Sequence, residues 1–317
     1  MPDAPSLFPA AEDPDLDIVE GELYRLDPTG DVVAQTIRDT LDQLYDGQHT
    51  GRWSFDQLHK TEKTHMGTLI EINLHREFNF ADGDATDYRI AGIEVDCKYS
   101  MYGSWTLPPE VVGHLALLVT ADDAVGTWRA GLMRIEERWL NLGRNRDAKA
   151  TLSRVGREKI RWLWPTHGRL PPNLFLSIPS DVRERIFAAQ GRRQGYDGQA
   201  RVNELFRLVH GRIVRRAELA TVARQDDFMK RARGNGGART YLRPEGILVL
   251  GHQENDPRVA AALGLPVPKK GELVAARVVP AAAGDDRPAA EIGGTAWVVA
   301  RTGDPVTPAP VVGKGET

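Results

Sequence analysis

Residues 93–99, Ile-Glu-Val-Asp-Cys-Lys-Tyr, alternate apolar and polar side chains with a period of two. That period belongs to a β-strand with one face against a core. Successive side chains of a strand point to opposite faces, so Ile93, Val95 and Cys97 turn inward while Glu94, Asp96 and Lys98 share the other face. A carboxylate and an ammonium then stand roughly 7 Å apart on a rigid support. Upstream lies Asp87, and a turn at Ala91-Gly92 would fold the chain into a hairpin and carry Asp87 to the same place. Two carboxylates and a lysine in D-x(n)-D-x-K order suit metal-assisted phosphodiester hydrolysis. The carboxylates hold Mg²⁺ through oxygen, and the lysine offsets charge in the transition state. An Asp-x-Lys pair on an exposed strand is also what a solvated ion pair looks like, so the neighbouring segments decide.

Glu71 lies in residues 67–78, among Leu69, Ile70, Ile72, Leu74 and Phe78, a pattern that reads as a largely buried helix. A carboxylate inside such a helix is costly unless it is paired, with Arg76 or Lys98, or bound to a metal. Glu71, Asp87, Asp96 and Lys98 are therefore the candidate catalytic residues, and the three acids the candidate metal ligands.

At 317 residues the chain is long for one core, so two domains are expected. Its single cysteine, Cys97, excludes an intrachain disulfide and fits a reducing compartment. On the inward strand face it reads as core filler. The Met-Pro-Asp start lacks the basic and apolar regions of a secretory signal, and no apolar run reaches membrane-spanning length, so a cytoplasmic protein is expected.

The net charge of −3 conceals an uneven distribution. Residues 1–30 hold eight acidic residues and one basic, and residues 1–18 read as a disordered acidic leader. Residues 201–243 hold eleven Lys or Arg against four acids, the local footprint expected of a phosphate-backbone binder.

Residues 31–45 read as an amphipathic helix with Val33, Ile37, Leu41 and Leu44 on one face, ended by Asp46-Gly47. Residues 114–120 read as a central strand, 127–135 as another, and 152–164 as a helix stopped by Pro165. This order suits an α/β core, a mixed sheet flanked by helices, over residues 19–164. Residues 165–172, rich in proline, read as a linker. In residues 173–317, helices near 181–190, 201–213, 216–224 and 225–233 precede a strand at 246–251. The last three of these helices followed by the strand resemble a winged helix-turn-helix. The tail is expected to fray after Thr302.

Three stretches carry groups that fit DNA. Arg144, Asn145, Arg146 and Lys149 crowd one glycine-containing segment, and arginine and asparagine can grip base edges or phosphates with paired hydrogen bonds. Lys230, Arg231, Arg233 and Arg239 alternate with glycines that let backbone approach phosphates. Tyr102, Ser104 and Trp105 follow the catalytic strand, where they would meet substrate.

Several long strings carry a resemblance: Thr40-Leu-Asp-Gln-Leu-Tyr-Asp-Gly47, Asp56-Gln-Leu-His-Lys-Thr-Glu-Lys-Thr-His65, Glu71-Ile-Asn-Leu-His-Arg-Glu-Phe78, Val95-Asp-Cys-Lys-Tyr-Ser100, Leu140-Asn-Leu-Gly-Arg-Asn-Arg-Asp147, Arg201-Val-Asn-Glu-Leu-Phe-Arg-Leu-Val209 and Ala262-Leu-Gly-Leu-Pro-Val-Pro268. Through them the chain resembles the NaeI-type (type IIE) restriction endonucleases. The resemblance implies a restriction-endonuclease-like core plus a C-terminal winged-helix domain of catabolite-activator type that binds effector DNA. It implies a homodimer that cleaves double-stranded DNA with Mg²⁺ at a palindrome, GCCGGC, when a second DNA copy is bound. It places Glu71, Asp87, Asp96 and Lys98 in the active site. A DNA methyltransferase acting on the same site is the implied companion and need not bind. Leu44-Tyr-Asp-Gly-Gln-His49 is similar to the K-x-D-G-x-R motif of DNA ligases, but Leu44 stands where the nucleophilic lysine would be, so no nucleotidyl adduct can form. A non-catalytic helix-turn-helix regulator is the alternative, disfavoured by the intact acids and lysine. A nicking or topology-changing enzyme would need a nucleophile that the sequence does not offer.

Overall fold

The computed structural model describes residues 13–165 and 168–313. They form two units. One comprises Met1–Leu44 and Leu58–Pro172, the other Tyr45–Gln57 and Asn173–Thr317. The sequence reading gave residues 19–164 to one domain without interruption, whereas here 45–57 go with the second unit.

The first unit opens with α1 (Pro14–Leu26). Asp13 caps it by accepting the Leu16 N–H at 3.3 Å, Pro14 occupies the first turn, and Leu16, Val19 and Leu23 are buried. The leader expected to be disordered to residue 18 is thus helical from Pro14. Its acids have partners: Arg134 pairs with Asp13 at 2.7 Å and Asp15 at 2.8 Å, and Arg161 with Asp17 and with Glu20 at 2.8 Å. The rest of that expectation, residues 1–12, lies outside the described residues. Asp27 then accepts the N–H groups of Gly30 and Val33, both at 2.9 Å, and so starts α2 (Asp31–Tyr45), which buries Val33, Ile37, Leu41 and Leu44 as its periodicity predicts. Asp46 ends it in the left-handed conformation. The short α3 (Gly47–Thr50) belongs to the second unit.

α4 (Lys60–Phe78) carries Glu71. Only Met66, Ile70 and Leu74, spaced by four, are fully buried, so the helix lays one stripe on the core and is not buried all round. Strands β1 (Ala81–Asp82), β2 (Tyr88–Ile90), β3 (Ile93–Tyr99), β5 (Leu115–Asp122), β6 (Thr127–Arg134) and β8 (Arg161–Leu163) form one sheet in the order β1-β2-β3-β5-β6-β8. β3 and β5 run parallel and the other pairs antiparallel, so the sheet is mixed, as expected. β5, nearly continuous in apolar residues, lies inside it. β4 (Thr106–Leu107) pairs separately with β7 (Ala150–Thr151).

The helix expected over residues 152–164 is only one turn, α5 (Arg154–Glu158), followed by β8. β8 supplies the hydrogen-bonding partner that the free edge of β6 requires, with Trp162 opposite Gly131. The expected linker is also partly engaged. Trp128 N–H donates to Gly168 O at 2.9 Å, Leu170 N–H to Gly126 O at 3.0 Å, and Leu170 is buried.

In the second unit α6 (Leu174–Ser177), α7 (Ser180–Ala188) and α8 (Asp197–Leu208) precede β9 (Ile213–Val214) and α9 (Arg216–Ala223). Then come α10 (Phe228–Ala232), α11 (Ala238–Tyr241), β10 (Ile247–Leu250) and α12 (Asp256–Ala262). β11 (Leu273–Pro280), β12 (Ala289–Ile292) and β13 (Thr295–Val299) follow. β11 pairs antiparallel with β10, β9 and β13, and β13 with β12. The tail does not fray at Thr302: Ala309 is buried and exchanges two 2.8 Å hydrogen bonds with Arg243. Among the described residues no helix is long and apolar enough to cross a membrane.

Residues 45–57 are bound into this unit. Asn173 Nδ2 donates to Trp53 O at 2.8 Å, Gln48 Nε2 to Asp226 Oδ1 at 3.0 Å, and the Trp53 ring lies 6.4 Å from Phe175. A Cβ on Gly47 would stand 2.0 Å from Thr221 Oγ1 and 2.9 Å from Arg52 O. Gly47→Ala should therefore destabilise the protein by about 1–3 kcal/mol. Gly67→Ala, in the middle of α4 with open space around it, should stabilise by up to about 1 kcal/mol. Denaturant midpoints of the two variants would separate these opposite signs.

Candidate active site

The β2–β3 hairpin turns at Ala91 and Gly92, which adopt φ of 49° and 83°. Two successive positive φ values define the tight turn that matches strand twist. The resulting register sets Tyr88 opposite Val95 and Arg89 opposite Glu94, with Asp87 just before the first pair. The sequence expectation for Asp87 is met. Its Oδ2 accepts the Cys97 N–H at 2.7 Å and lies 3.4 Å from Lys98 Nζ. Lys98 Nζ also donates to Asp96 Oδ1 at 2.8 Å and to Cys97 O at 3.0 Å. One ammonium thus bridges carboxylates from before β2 and from within β3.

Asp96 is only 5% exposed, deeper than a single outward strand face would put it. Burial pushes its pKa up to about 6, with repulsion from Asp87 adding to that and Lys98 opposing it. Asp96 Oδ2 lies 2.7 Å from Lys98 Nζ but is buried without a hydrogen bond of normal geometry. Burial pulls the Lys98 pKa down, and the charge and hydrogen bond of Asp96 outweigh it, leaving the ammonium held above its ordinary range. Glu71, half-buried on α4, is raised first by burial and then by the charge of Asp87, while Lys98 and His75 pull it down. The Tyr88 hydroxyl donates to Glu71 O at 2.7 Å and so ties α4 to β2. The Cys97 thiol is pushed up to about 12 by burial, which leaves it inert as a nucleophile.

Asp87 and Asp96 share one lysine, and Glu71 stands near enough to feel its charge. Oxygen donors in such a cluster fit a hard divalent cation. The fit is carried by Asp87 and Asp96. Glu71 makes no hydrogen bond to either, and among the described residues no group of three or more His, Cys, Asp or Glu could hold a metal ion as it stands. In this structure Asp87 and Asp96 both pair with Lys98.

Of the residues expected to meet DNA, Tyr102 and Ser104 are exposed. Trp105 is not: it is 3% exposed in the core and its Nε1 donates to Val119 O at 2.9 Å, so it supports its loop from within. Arg144 pairs with Glu137 at 2.6 Å. Asn145 Oδ1 accepts the N–H groups of Asp147 and Lys149, at 3.0 and 2.9 Å, and shapes its own loop. Arg146 is exposed and Lys149 partly so. In the second unit Lys230 and Arg233 are exposed, whereas Arg231 is paired with Asp227 at 3.0 Å and Arg239 with the buried Asp256. Two residues on the hairpin were missed as part of the site's support: Tyr88, and Glu94, which turns away from Lys98 toward the loop before Asp87. The register 89↔94 could have revealed the second as a cross-strand charge pair.

Two carboxylates sharing a lysine, one just before β2 and one within β3 of a mixed sheet flanked by helices, suit a phosphodiester hydrolase, and the similarity to known proteins gives that class. A family model described as "Restriction endonuclease NaeI" matches residues 17–308. The "Type II restriction enzyme NaeI" of Lentzea aerocolonigenes is 61% identical over 313 residues, 98% of each chain. The chain belongs to the NaeI family of restriction endonucleases.

The raised Asp96 pKa has a consequence in the metal-free protein. An acid that holds its proton more tightly folded than unfolded makes the folded state lose stability as pH rises between the two pKa values. With EDTA present, the wild type should lose melting temperature relative to Asp96→Asn as pH rises from about 4 to about 6. Parallel melting profiles across that window would show that burial does not burden this carboxylate.

Proposed function

We propose that this endonuclease cleaves both strands of DNA at a palindromic site, GCCGGC, using Mg²⁺, and that a second DNA copy bound by the C-terminal unit activates it. The observation that carries the proposal is the Lys98 ammonium 2.8 Å from Asp96 and 3.4 Å from Asp87, in a chain of this family. Asp87 and Asp96 would hold the metal, with Glu71 orienting its surroundings. Bound Mg²⁺ supplies Lewis-acid polarisation of the phosphate. Lys98, released in part from the aspartates, donates to the phosphate as negative charge develops, or positions the attacking water. Tyr102, Ser104, Arg144, Asn145, Arg146 and Lys149 are the substrate-side candidates, and Trp105 acts only by holding its loop.

The second unit is read as a winged helix-turn-helix. Its support is topological: α8, β9, α9, α10, β10 and β11 follow in that order, with α11 inserted before β10 and α12 between β10 and β11, and β9 and β10 both pair antiparallel with β11. α10 then takes the place of the second, groove-entering helix. The exposed Lys230 and Arg233 are its phosphate contacts, and Arg231 and Arg239 brace the fold through Asp227 and Asp256. A two-fold homodimer matches a palindrome, the two DNA sites are coupled thermodynamically, and a cytoplasmic setting with a methyltransferase of the same specificity completes the system.

Supercoiled plasmids with one or two GCCGGC sites, incubated with Mg²⁺ or EDTA, test the reading. Discrete metal-dependent fragments are expected, faster with two sites and rescued on one site by added site-bearing oligonucleotide. Cutting elsewhere discards the site, and intact DNA throughout discards the activity. Asp96→Ala should abolish cleavage and retain DNA binding. Replacing Lys230 and Arg233 with glutamine should weaken effector binding and reduce its salt slope by about two. An unchanged slope would clear those two residues of phosphate contact.

A further inference from the structure

Glu94 shares β3 with Asp96 and Lys98 but bonds to neither of them. Its Oε1 accepts the Asp84 N–H at 2.9 Å, and its Oε2 accepts the N–H groups of Ala85 and Thr86, each at 3.1 Å, and the Thr86 hydroxyl at 2.8 Å. Three consecutive backbone N–H groups thus converge on one carboxylate, an anion nest filled by the chain's own side chain. From β2, Arg89 reaches Oε1 at 3.0 Å and also pairs with Asp84. The residues tied to Glu94 therefore lie on both sides of Asp87 in sequence, 84–86 before it and 89 after it. The Asp87 side chain itself accepts the Cys97 N–H and, more distantly, meets Lys98.

We propose that Glu94 is a positioning residue for Asp87: by clamping the 84–86 turn and Arg89 it fixes where the Asp87 carboxylate stands. The inference rests on Asp87 acting as proposed above. Charge-assisted bonds make the clamp stiff, and the backbone N–H of Asp84, foremost among these partners, holds the Glu94 carboxyl well below the usual carboxylate range. Glu94 touches neither the aspartates nor the lysine of the site, so its contribution is geometric.

Glu94→Gln keeps the shape but turns an NH₂ donor against N–H donors. The expected result is a fall in kcat of about 100-fold, the scale of a 1 Å misplacement, with unchanged KM for site-bearing oligonucleotide and unchanged binding in EDTA. The 84–86 amides of the metal-free protein should exchange hydrogen faster. Because the effect passes through Asp87, Glu94→Gln combined with Asp87→Asn should be no slower than Asp87→Asn alone. Thr86→Val removes the hydroxyl contacts to Glu94 Oε2 and to Tyr88 O, leaves the backbone clamp, gives a smaller loss of the same kind, and carries the test if Glu94→Gln does not fold. Wild-type kcat in Glu94→Gln, or full additivity with Asp87→Asn, overturns the inference. An active Asp87→Asn enzyme overturns the proposed site instead, independently of the clamp.

Discussion

The Lys98 ammonium between Asp87 and Asp96 is the interaction on which the site depends. It forms only because the hairpin register, the left-handed turn at Ala91-Gly92 and the Cys97 N–H all place Asp87 within reach of β3. A slip of one residue would turn every β3 side chain to the opposite face, burying Lys98 and expelling Val95. The parallel partner β5 and the one-sided helix α4 hold that register from the other directions.

The charge balance around the lysine is unequal: two carboxylates on one cation, one of them nearly sealed from water. The same ratio of one cation to two carboxylates recurs in this unit where Arg38 meets both Asp42 and Asp123. The two differ in access: the Arg38 side chain is sealed from water, whereas those of Lys98 and Asp87 are partly exposed. An unmatched buried carboxylate costs stability, and chains keep such groups where chemistry uses them.

Much of this was legible beforehand. Period-two alternation gave β3, Asp87 could be placed by assuming a turn at Ala91-Gly92, and the face of α2 followed from Val33, Ile37, Leu41 and Leu44. The misses have physical causes. Trp162-Leu-Trp164 looked like a helix end, but the free edge of β6 captured it as a strand. Trp105 looked available to DNA because a sequence does not say which aromatic in a loop turns inward. The acidic residues 1–18 read as disordered, yet Arg134 and Arg161, more than a hundred residues away, pair with Asp13, Asp15, Asp17 and Glu20. Long-range pairing of this kind leaves no local periodicity to read.

The assignment of residues 45–57 to the second unit means that the chain leaves the first unit, returns to it, and leaves again. Synthesis from the N-terminus therefore delivers Trp53 and Gly47 well before Phe175 and Thr221, the groups that receive them. At ordinary elongation rates the interval is on the order of 10 s. For that time a tryptophan-bearing segment of 13 residues must wait while the first unit is still acquiring its own sheet. Because the two units alternate along the chain, no single cut yields one fragment with all of one unit and none of the other.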